Sequence, residues 1–523
     1  MFEEFVPSEK VARHGAFKNN FIIVISYIAS MIFANTLIIG SIVYHLYHKI
    51  TGKEKFYEPA EALPNGFVPR EDFPDVNNMK ISTELRYYAL ALGLDLEEYT
   101  ITTDDGYVLP LYRLIDPKVT DIDNRKPILL QHGLLGSAGN YLTTGFNSLA
   151  YHFLELGYDV WLGNNRCFFE PKHTLYEKNL MSNEAFWDWD IRVLAYYDLP
   201  CIIDNVLAHK PLHSKLVLTG HSQGCLQTFM LLRNQNFKAY HAKIEHFIAL
   251  TPAIFPGKMF HHRFFIKFIH NLGPTGYLCV FGNTSFLRFV TQIRYYIGTT
   301  WLFGKLTYFM FKFLFGWSAR NWTKAKRVWR FNFQFMVTYV SARHMSWWLS
   351  YYIGEGFTAE LLPKKDYATG ANYKYVPEED PNIQAQREKA SSKSFLPFNT
   401  EWFNDPNQTV VPMTIFVGDD DYLVDGKRLL LHMQQLEPLY NEDNLQTYEL
   451  DHYSHLDAIW ARDVIGRIGM VVTDILEQSS TEFSEKNQSA KVPPQPTAKD
   501  PLLTNHIDTA IPIVTPPTIK VSA

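Results

Sequence analysis

The sequence is poor in cysteine, and its opposite charges nearly balance. Only four of its 523 residues are cysteine, too few for a disulfide scaffold. With 49 Lys and Arg against 54 Asp and Glu, the formal net charge is -5 and there is no overall basic field, which argues against a nucleic-acid partner. The cysteines lack the paired C-x-x-C spacing of a zinc site, so we expect free and buried thiols at Cys167, Cys201, Cys225 and Cys279.

Charged residues are absent from a long N-terminal run. Residues 21–47 are 27 consecutive residues without Asp, Glu, Lys or Arg, whereas a transmembrane helix needs about 20 residues. A cleaved signal peptide has a shorter apolar core of about 7–15 residues, and a buried core helix seldom stays uncharged for so long. We therefore predict a retained anchor and a single-pass integral membrane protein. Lysines flank the run on both sides, so its orientation stays open.

Acidic residues are absent from a second, longer stretch. No Asp or Glu occurs between Glu245 and Glu355, and residues 255–350 contain 13 Lys and Arg and 27 aromatic residues. A soluble surface mixes charges of both signs and limits its exposed apolar area. Aromatic residues favour the headgroup level of a bilayer, and basic residues favour anionic lipid. We interpret the stretch as a lipid contact; a fully buried helical subdomain is the alternative.

Elsewhere, short apolar runs alternate with helix-patterned segments. The alternation predicts an α/β protein with a mostly parallel sheet, and it rests on apolar runs at residues 127–133, 158–164, 215–220, 246–252 and 413–419. Two β-rich runs around Asp104-Asp105-Gly106 predict a hairpin that precedes them.

The pentapeptide at 220–224 has the sequence of a nucleophile elbow. Gly220-His221-Ser222-Gln223-Gly224 directly follows the run KLVLT and directly precedes the helix-patterned CLQTFMLLR. In such an elbow a strand reverses sharply into a helix, and glycines two residues either side of the serine let the two elements approach. We therefore predict that Ser222 is a nucleophile exposed at the end of a strand.

A serine nucleophile needs a base and a residue that orients the base. In α/β hydrolases these follow in the order Ser, Asp, His. The run MTIFVG ends in Asp419–Asp421, with Asp425 close behind, and a later loop holds His452 and His455. One of the adjacent carboxylates should point inward while the others face water. The spacing alone leaves the choice of acid and of base open.

An oxyanion hole for this chemistry needs two backbone N–H groups. One comes from the residue after the nucleophile, here Gln223, and the other from the loop after an earlier strand. The loop that follows PILLQ reads His132-Gly133-Leu134-Leu135-Gly136. Its glycines let the backbone come close to the site, which makes the Leu134 N–H the expected second donor.

Seven motifs in a fixed order carry a resemblance to a known family. From about Ile81 to Glu477 the chain resembles the acid lipase and steryl ester hydrolase family of α/β hydrolases, through the motifs ITTDDGYVLPLYR, LLQHGLLGSAGNY, GYDVWLGNNR, FWDWDIRVLAYYDLP, GHSQG, GDDDYLVD and YSHLDAIWARD. The resemblance implies an α/β-hydrolase fold with a mostly parallel sheet and a large aromatic-rich helical cap or lid at about 255–350. The N-terminal transmembrane helix is predicted from the uncharged run at 21–47. The resemblance also implies a catalytic and oxyanion set of Ser222 as nucleophile, Asp421 as acid, His455 as base, and Leu134 and Gln223 as oxyanion donors.

The chain departs from the family in two places. Cys167 stands where family members have Gly, which puts the local backbone in doubt, and an anchor replaces the cleavable signal of the secreted animal members. The anchor favours the fungal membrane-bound branch, which hydrolyses steryl esters or other neutral-lipid esters at a membrane or lipid-droplet surface. The membrane itself, endoplasmic reticulum, lipid droplet or plasma membrane, stays open.

The implied reaction is ester hydrolysis without a metal or organic cofactor. A triacylglycerol lipase with the same residues is one alternative, and a catalytically inactive tether at a lipid surface is another. We divide the chain into an N-terminal segment (1–20), the anchor (21–47), a linker (48–76), a catalytic domain (77–477) and a Pro-rich tail (478–523), which we predict to be disordered.

Overall fold

The structure is a computed structural model that describes most of the chain. The described residues are 4–10, 12–52, 68–176, 178–317, 319–322, 330–370, 394–405 and 407–478. Most of the predicted linker and all but the first residue of the predicted tail lie outside them. The chain divides into two units, Met1–Asp474 and Ile475–Ala523, and the second is described only at residues 475–478.

A single eight-stranded sheet forms the centre of the first unit. Its order is β1-β2-β4-β3-β5-β6-β7-β8. Strand β2 is antiparallel to β1 and to β4, as the hairpin prediction requires, and the remaining neighbours are parallel. The predicted α/β class and mostly parallel sheet are confirmed. The strands are Asp95–Thr102 (β1), Val108–Ile115 (β2), Pro127–Gln131 (β3), Asp159–Gly163 (β4), Leu216–His221 (β5), Ile244–Leu250 (β6), Met413–Gly418 (β7) and Leu445–Leu450 (β8).

The register brings the ends of the central strands to one edge. Gln131 of β3 pairs with Gly220 of β5, and His221 pairs with Leu250 of β6. Strands β3, β5 and β7 are buried along their whole length, which explains why they read as continuous apolar runs. The loops that follow these parallel strands therefore meet at the carboxyl edge, where open α/β sheets place their sites.

Helices surround the sheet and fill the long connection between β6 and β7. A π-helical turn, Leu194–Asp198, joins α4 to α5. The helices are Ala16–Ile50 (α1), Leu85–Ala91 (α2), Leu149–Glu155 (α3), Ile191–Val193 (α4), Leu199–Ala208 (α5), Gln223–Arg233 (α6), Met259–His262 (α7), Phe264–Asn271 (α8), Pro274–Phe281 (α9), Arg288–Ile297 (α10), Trp301–Phe315 (α11), Ala342–Leu349 (α12), Lys364–Thr369 (α13), Gly426–Leu436 (α14) and Asp457–Trp460 (α15).

The apolar N-terminal run forms one continuous helix. Helix α1 has 35 residues, a length of about 52 Å at 1.5 Å per residue. Among the described residues it is the one helix long and apolar enough to cross a membrane, which fits either a membrane anchor or a signal sequence. Helix α1 packs lengthwise against α9 and α11 of the cap segment, residues 255–350.

The four cysteines are free thiols, but they are not all buried. Cys167 and Cys225 are buried and Cys201 is partly buried, whereas Cys279 is exposed. The burial prediction was therefore wrong for Cys279, which lies on the outward side of α9. Cys167 has a φ of 61°, in the left-handed region that glycine favours. The backbone at this departure thus adopts a conformation typical of glycine although the residue is cysteine.

Candidate active site

Ser222 occupies a sharp turn between β5 and α6. Its φ of 54° and ψ of -111° are strained for a residue with a side chain, as expected of a nucleophile elbow. A Cβ at Gly220 would lie 2.8 Å from the Cys225 nitrogen, and one at Gly224 would lie 2.5 Å from the Gln131 carbonyl oxygen. The two glycines are therefore required by the close approach of strand, helix and neighbouring loop.

Asp421 and His455 converge on Ser222 from the loops after β7 and β8. The His455 Nε2 atom lies 2.7 Å from Ser222 Oγ, and its Nδ1 atom lies 2.7 Å from Asp421 Oδ2. Asp421 also accepts the backbone N–H groups of Leu423 and Val424 at 3.0 and 3.2 Å. The carboxylate can thus accept the Nδ1–H, which leaves Nε2 free to accept the serine proton.

Three other candidates for acid and base are less buried than Asp421 and His455. Asp420 and His452 are exposed and Asp419 is half-buried, so one carboxylate of the three points inward and its neighbours do not. Asp419 accepts the backbone N–H of His452 at 2.5 Å. Donor atoms of these three residues lie within 4.8 Å of one another, which makes them the one group among the described residues with a spacing that could hold a metal.

Two buried side chains hold the backbone that carries His455. The His455 carbonyl oxygen lies 3.1 Å from His221 Nε2 and accepts the Thr251 hydroxyl at 3.1 Å. Burial lowers the pKa of His221 to about 3, so its ring is neutral at physiological pH and donates through Nε2. The backbone of His455, the predicted base, is therefore held by a neutral histidine that directly precedes Ser222.

The loop after β3 lies directly against Ser222. A Cβ at Gly133 would lie 3.0 Å from the Ser222 Cβ, and Leu134 lines the same cavity as Ser222. His132 fixes this loop because its Nδ1 lies 2.8 Å from the Gly133 carbonyl oxygen and its Nε2 accepts the Asn165 N–H. The loop that carries the predicted Leu134 donor is thus held beside the serine.

The other predicted oxyanion donor, Gln223, begins helix α6. Its side-chain oxygen lies 2.7 Å from Nε2 of His344, on α12 of the cap segment. Burial lowers the pKa of His344 to about 3, so this contact involves a neutral ring. The cap segment therefore contacts the first helical turn after the nucleophile.

An apolar cavity of about 170 Å³ surrounds the serine and histidine. Its lining includes Ser222 and His455 together with aromatic residues of the cap segment. The Trp317 ring stacks on the His455 ring, with centroids 5.6 Å apart and planes inclined by 11°. Sequence reasoning missed Trp317; the aromatic excess of the acid-free stretch signalled the region but not the residue.

Asp457 connects the loop that carries His455 to the cap segment, and sequence reasoning missed it as well. It accepts the Ser454 backbone N–H at 2.7 Å, the Asn321 amide at 2.9 Å and the Trp322 indole N–H at 2.9 Å. Burial raises the pKa of Asp457 to about 6. The HLD motif of residues 455–457 thus places the histidine and a cap-binding carboxylate two residues apart.

The strand order and the strand–serine–helix turn define the chain as an α/β hydrolase. The family described as "partial alpha/beta-hydrolase lipase region" matches residues 85–145. Sterol esterase 2 of Saccharomyces cerevisiae is 34% identical over 77% of this chain and 73% of its own length. Mouse gastric triacylglycerol lipase is 28% identical over 74% of this chain and 88% of its own, and the probable lipase C16A3.12c of Schizosaccharomyces pombe is 28% identical over 75% and 79%. The chain belongs to the acid lipase and steryl ester hydrolase family, and it is a carboxylic ester hydrolase.

Proposed function

We propose that the protein hydrolyses steryl esters to free sterol and fatty acid, and so serves neutral-lipid mobilisation and sterol homeostasis. The observation that carries the proposal is the continuous path from Asp421 through His455 to Ser222, at two distances of 2.7 Å, inside an apolar cavity. The similarity to Sterol esterase 2 supports the steryl ester as substrate.

In the proposed acylation step, His455 takes the Ser222 proton while Oγ attacks the ester carbonyl carbon. Asp421 keeps the Nδ1 proton in place and stabilises the imidazolium that forms. The backbone N–H groups of Leu134 and Gln223 receive the oxyanion, a contribution of about 3 kcal/mol per donor in comparable sites. His455 then protonates the sterol oxygen as it leaves, and a water molecule activated by the same histidine releases the fatty acid.

Triacylglycerol is the alternative substrate. It is favoured by the similarity to gastric triacylglycerol lipase over 88% of that enzyme, and it needs the same residues. The shape of the cavity, not the triad, separates the two esters. Comparing the hydrolysis of cholesteryl oleate with that of triolein by the purified protein distinguishes them, and faster cleavage of triolein would reject our first choice.

We also propose that α1 attaches the protein to a membrane. The single pass predicted from its composition, in the endoplasmic reticulum, lipid droplet or plasma membrane, is one form of this attachment. The proposed organisation is a catalytic domain at 77–477 with a cap at about 255–350. Carbonate extraction should leave the protein in the membrane pellet, and release into the supernatant would contradict the attachment.

The catalytic proposal is tested by Ser222→Ala in membranes that contain the full-length protein. We expect hydrolysis to fall by at least about 1,000-fold, as for other serine nucleophiles. Ser214→Ala is the matched control, because Ser214 is exposed and precedes β5. Unchanged hydrolysis in Ser222→Ala would reject the proposal.

A further inference from the structure

Helix α1 is joined to the cap segment by a stripe of mostly small residues. The helix residues that become buried recur every three or four positions, on one face, and are Ile22, Ser26, Ser30, Ala34, Leu37 and Ser41. The serine hydroxyls of the stripe donate to carbonyls of the preceding helical turn, so none of them needs water. A Cβ at Gly282 would lie 2.5 Å from Ser26 Oγ, which shows how closely the end of α9 approaches.

Two residues on this side of α1 reach the reaction cavity. Phe33 and Leu37 line the cavity that also holds Ser222 and His455. The Phe33 ring packs on Phe281 of α9, with centroids 5.3 Å apart. Leu37 is only 4% exposed. The apolar N-terminal helix is therefore a wall of the cavity as well as a candidate anchor.

The opposite side of α1 is exposed and mostly apolar; its polar residues Asn35 and Thr36 donate to carbonyls of the preceding helical turn. Ile32 and Ile39 are each 61% exposed, whereas Phe33 and Leu37, which lie between them in the sequence, line the cavity. In a membrane this side would contact lipid hydrocarbon. One helix thus separates hydrocarbon on its outer side from the reaction cavity on its inner side.

We propose that Phe33 and Leu37 bind the hydrocarbon part of the ester and thereby select long, apolar substrates that arrive from the lipid phase alongside α1. The proposal rests on the proposed function, because it assigns the cavity to the ester that Ser222 cleaves. A short, soluble ester fills little of the cavity and should depend less on this wall.

The test uses Phe33→Trp and Leu37→Trp in the full-length protein in membranes, because the larger indole ring narrows the cavity from the side of α1. The readout is the ratio of kcat/KM for cholesteryl oleate to kcat/KM for p-nitrophenyl butyrate. We expect the ratio to fall at least tenfold. The matched controls, Ile32→Trp and Ile39→Trp, place the same ring on the exposed side and should keep the ratio within twofold. A ratio in the Leu37→Trp variant equal to that of Ile39→Trp would overturn the proposal.

A second measurement tests the proposal independently of the tryptophan variants, in case they fail to fold. Benzoylphenylalanine at position 33 or 37 should crosslink to a long-chain alkyl phosphonate bound covalently at Ser222, and the same probe at position 32 or 39 should not. Equal crosslinking at all four positions would reject the proposed binding by Phe33 and Leu37, but it would leave Ser222 as the nucleophile. Failure of the phosphonate to label Ser222 would instead reject the proposed function.

A different set of contacts concerns the chain before α1. The Phe5 carbonyl oxygen accepts the Asn234 amide at 2.9 Å, and Lys10 forms an ion pair with Asp105. Arg13 and His14 precede α1, and their backbone N–H groups donate to the Glu184 carboxylate at 3.0 and 3.1 Å. The residues described before α1, 4–10 and 12–15, are therefore bound to the hydrolase domain, which the chain rejoins after α1.

A single crossing would place these residues and the domain on opposite sides of the membrane and break all these contacts. We infer that both ends of α1 lie on the side of the membrane that holds the hydrolase domain. Helix α1 then enters the membrane from that side, together with the cap segment, and does not cross it. In a background of Cys201→Ser and Cys279→Ser, a membrane-impermeant maleimide should modify Ser8→Cys and Lys118→Cys from the same side of sealed membranes. Modification of Ser8→Cys only after detergent, with Lys118→Cys modified before it, would restore the single crossing.

Discussion

The carboxylate of Asp457 links the loop that carries His455, the predicted base, to the cap segment. Its folded-state pKa of about 6 lies above the ordinary value of 3.8, so the folded protein holds this proton more tightly than the unfolded chain. The stabilisation is complete below about pH 4 and is lost as the pH rises through 6, because the buried carboxylate then becomes charged. The shift corresponds to about 3 kcal/mol.

We therefore expect Asp457→Asn to remove this component of the pH dependence. Thermal unfolding in detergent, measured from pH 4 to pH 7.5 for both proteins, should show the wild type losing stability relative to the variant as the pH rises. Asp420→Asn is the control, since Asp420 is exposed beside the same site. A constant difference between wild type and Asp457→Asn over this range would show that the carboxylate does not titrate as described.

Trp317 should influence the base by covering it. Its ring stacks on His455 inside the cavity, and removing it admits water to the imidazole and leaves a void. We expect Trp317→Ala to lower kcat/KM for long-chain esters about tenfold or more, with a smaller loss in Trp317→Phe because an aromatic ring is retained. Equal loss in both variants would show that the indole does more than cover the ring.

At the residue scale, the sequence is informative where contacts are local and uninformative where they join distant parts of the chain. The elbow at Ser222 follows from its immediate neighbours. The choice of Asp421 and His455 over Asp419 and His452 needed the family resemblance, because spacing leaves all four at strand ends. The contact of Trp322 with Asp457 joins residues 135 positions apart, and no local pattern encodes it.

At the scale of elements, the elbow depends on how closely α6 approaches the loop after β3. A Cβ at Gly224 would meet backbone, the Gln131 carbonyl oxygen, at 2.5 Å, and backbone cannot move aside as a flexible side chain can. We expect Gly224→Ala to cost about 1–3 kcal/mol of stability by overpacking and to lower activity further by displacing α6 and Ser222. Thermal unfolding and ester hydrolysis of the same preparation measure the two effects.

The control for this variant is another helix-associated glycine. A Cβ at Gly273, which precedes α9, would meet nothing within 4 Å. Gly273→Ala should therefore leave stability and activity close to those of the wild type. If both variants behaved alike, close packing at the elbow would not be the reason for glycine at position 224.

The elements themselves were predictable to different degrees. The central strands were visible because buried parallel strands are continuously apolar. The packing of α1 on α9 and α11 was not visible. The signal that could have shown it is the recurrence of the small residues Ser26, Ser30 and Ala34 every four positions in an otherwise apolar run, because small residues let helices approach closely.

At the scale of the whole molecule, charge and aromatic residues are segregated. The acid-free cap segment exposes aromatic residues such as Tyr295 and Trp301 and basic residues such as Lys267. Acidic residues, in contrast, lie in the hydrolase domain and the flanking segments. We expect this arrangement to attract the face formed by the cap segment and α1 to anionic lipid, although the net charge of the chain is -5.

We therefore expect hydrolysis of steryl ester in vesicles to be faster when the vesicles contain anionic phospholipid than when they are neutral, and the difference to shrink at high salt. Salt screens such an attraction because the Debye length falls from about 10 Å at 0.1 M to about 3 Å at 1 M. Lys267→Glu should reduce the advantage of anionic vesicles, because it reverses a charge on the exposed cap surface. Lys118→Glu, an identical change on the exposed hydrolase domain, should not. The electrostatic contribution of the cap segment would be rejected if the rate did not depend on vesicle charge, or if Lys267→Glu and Lys118→Glu changed it equally.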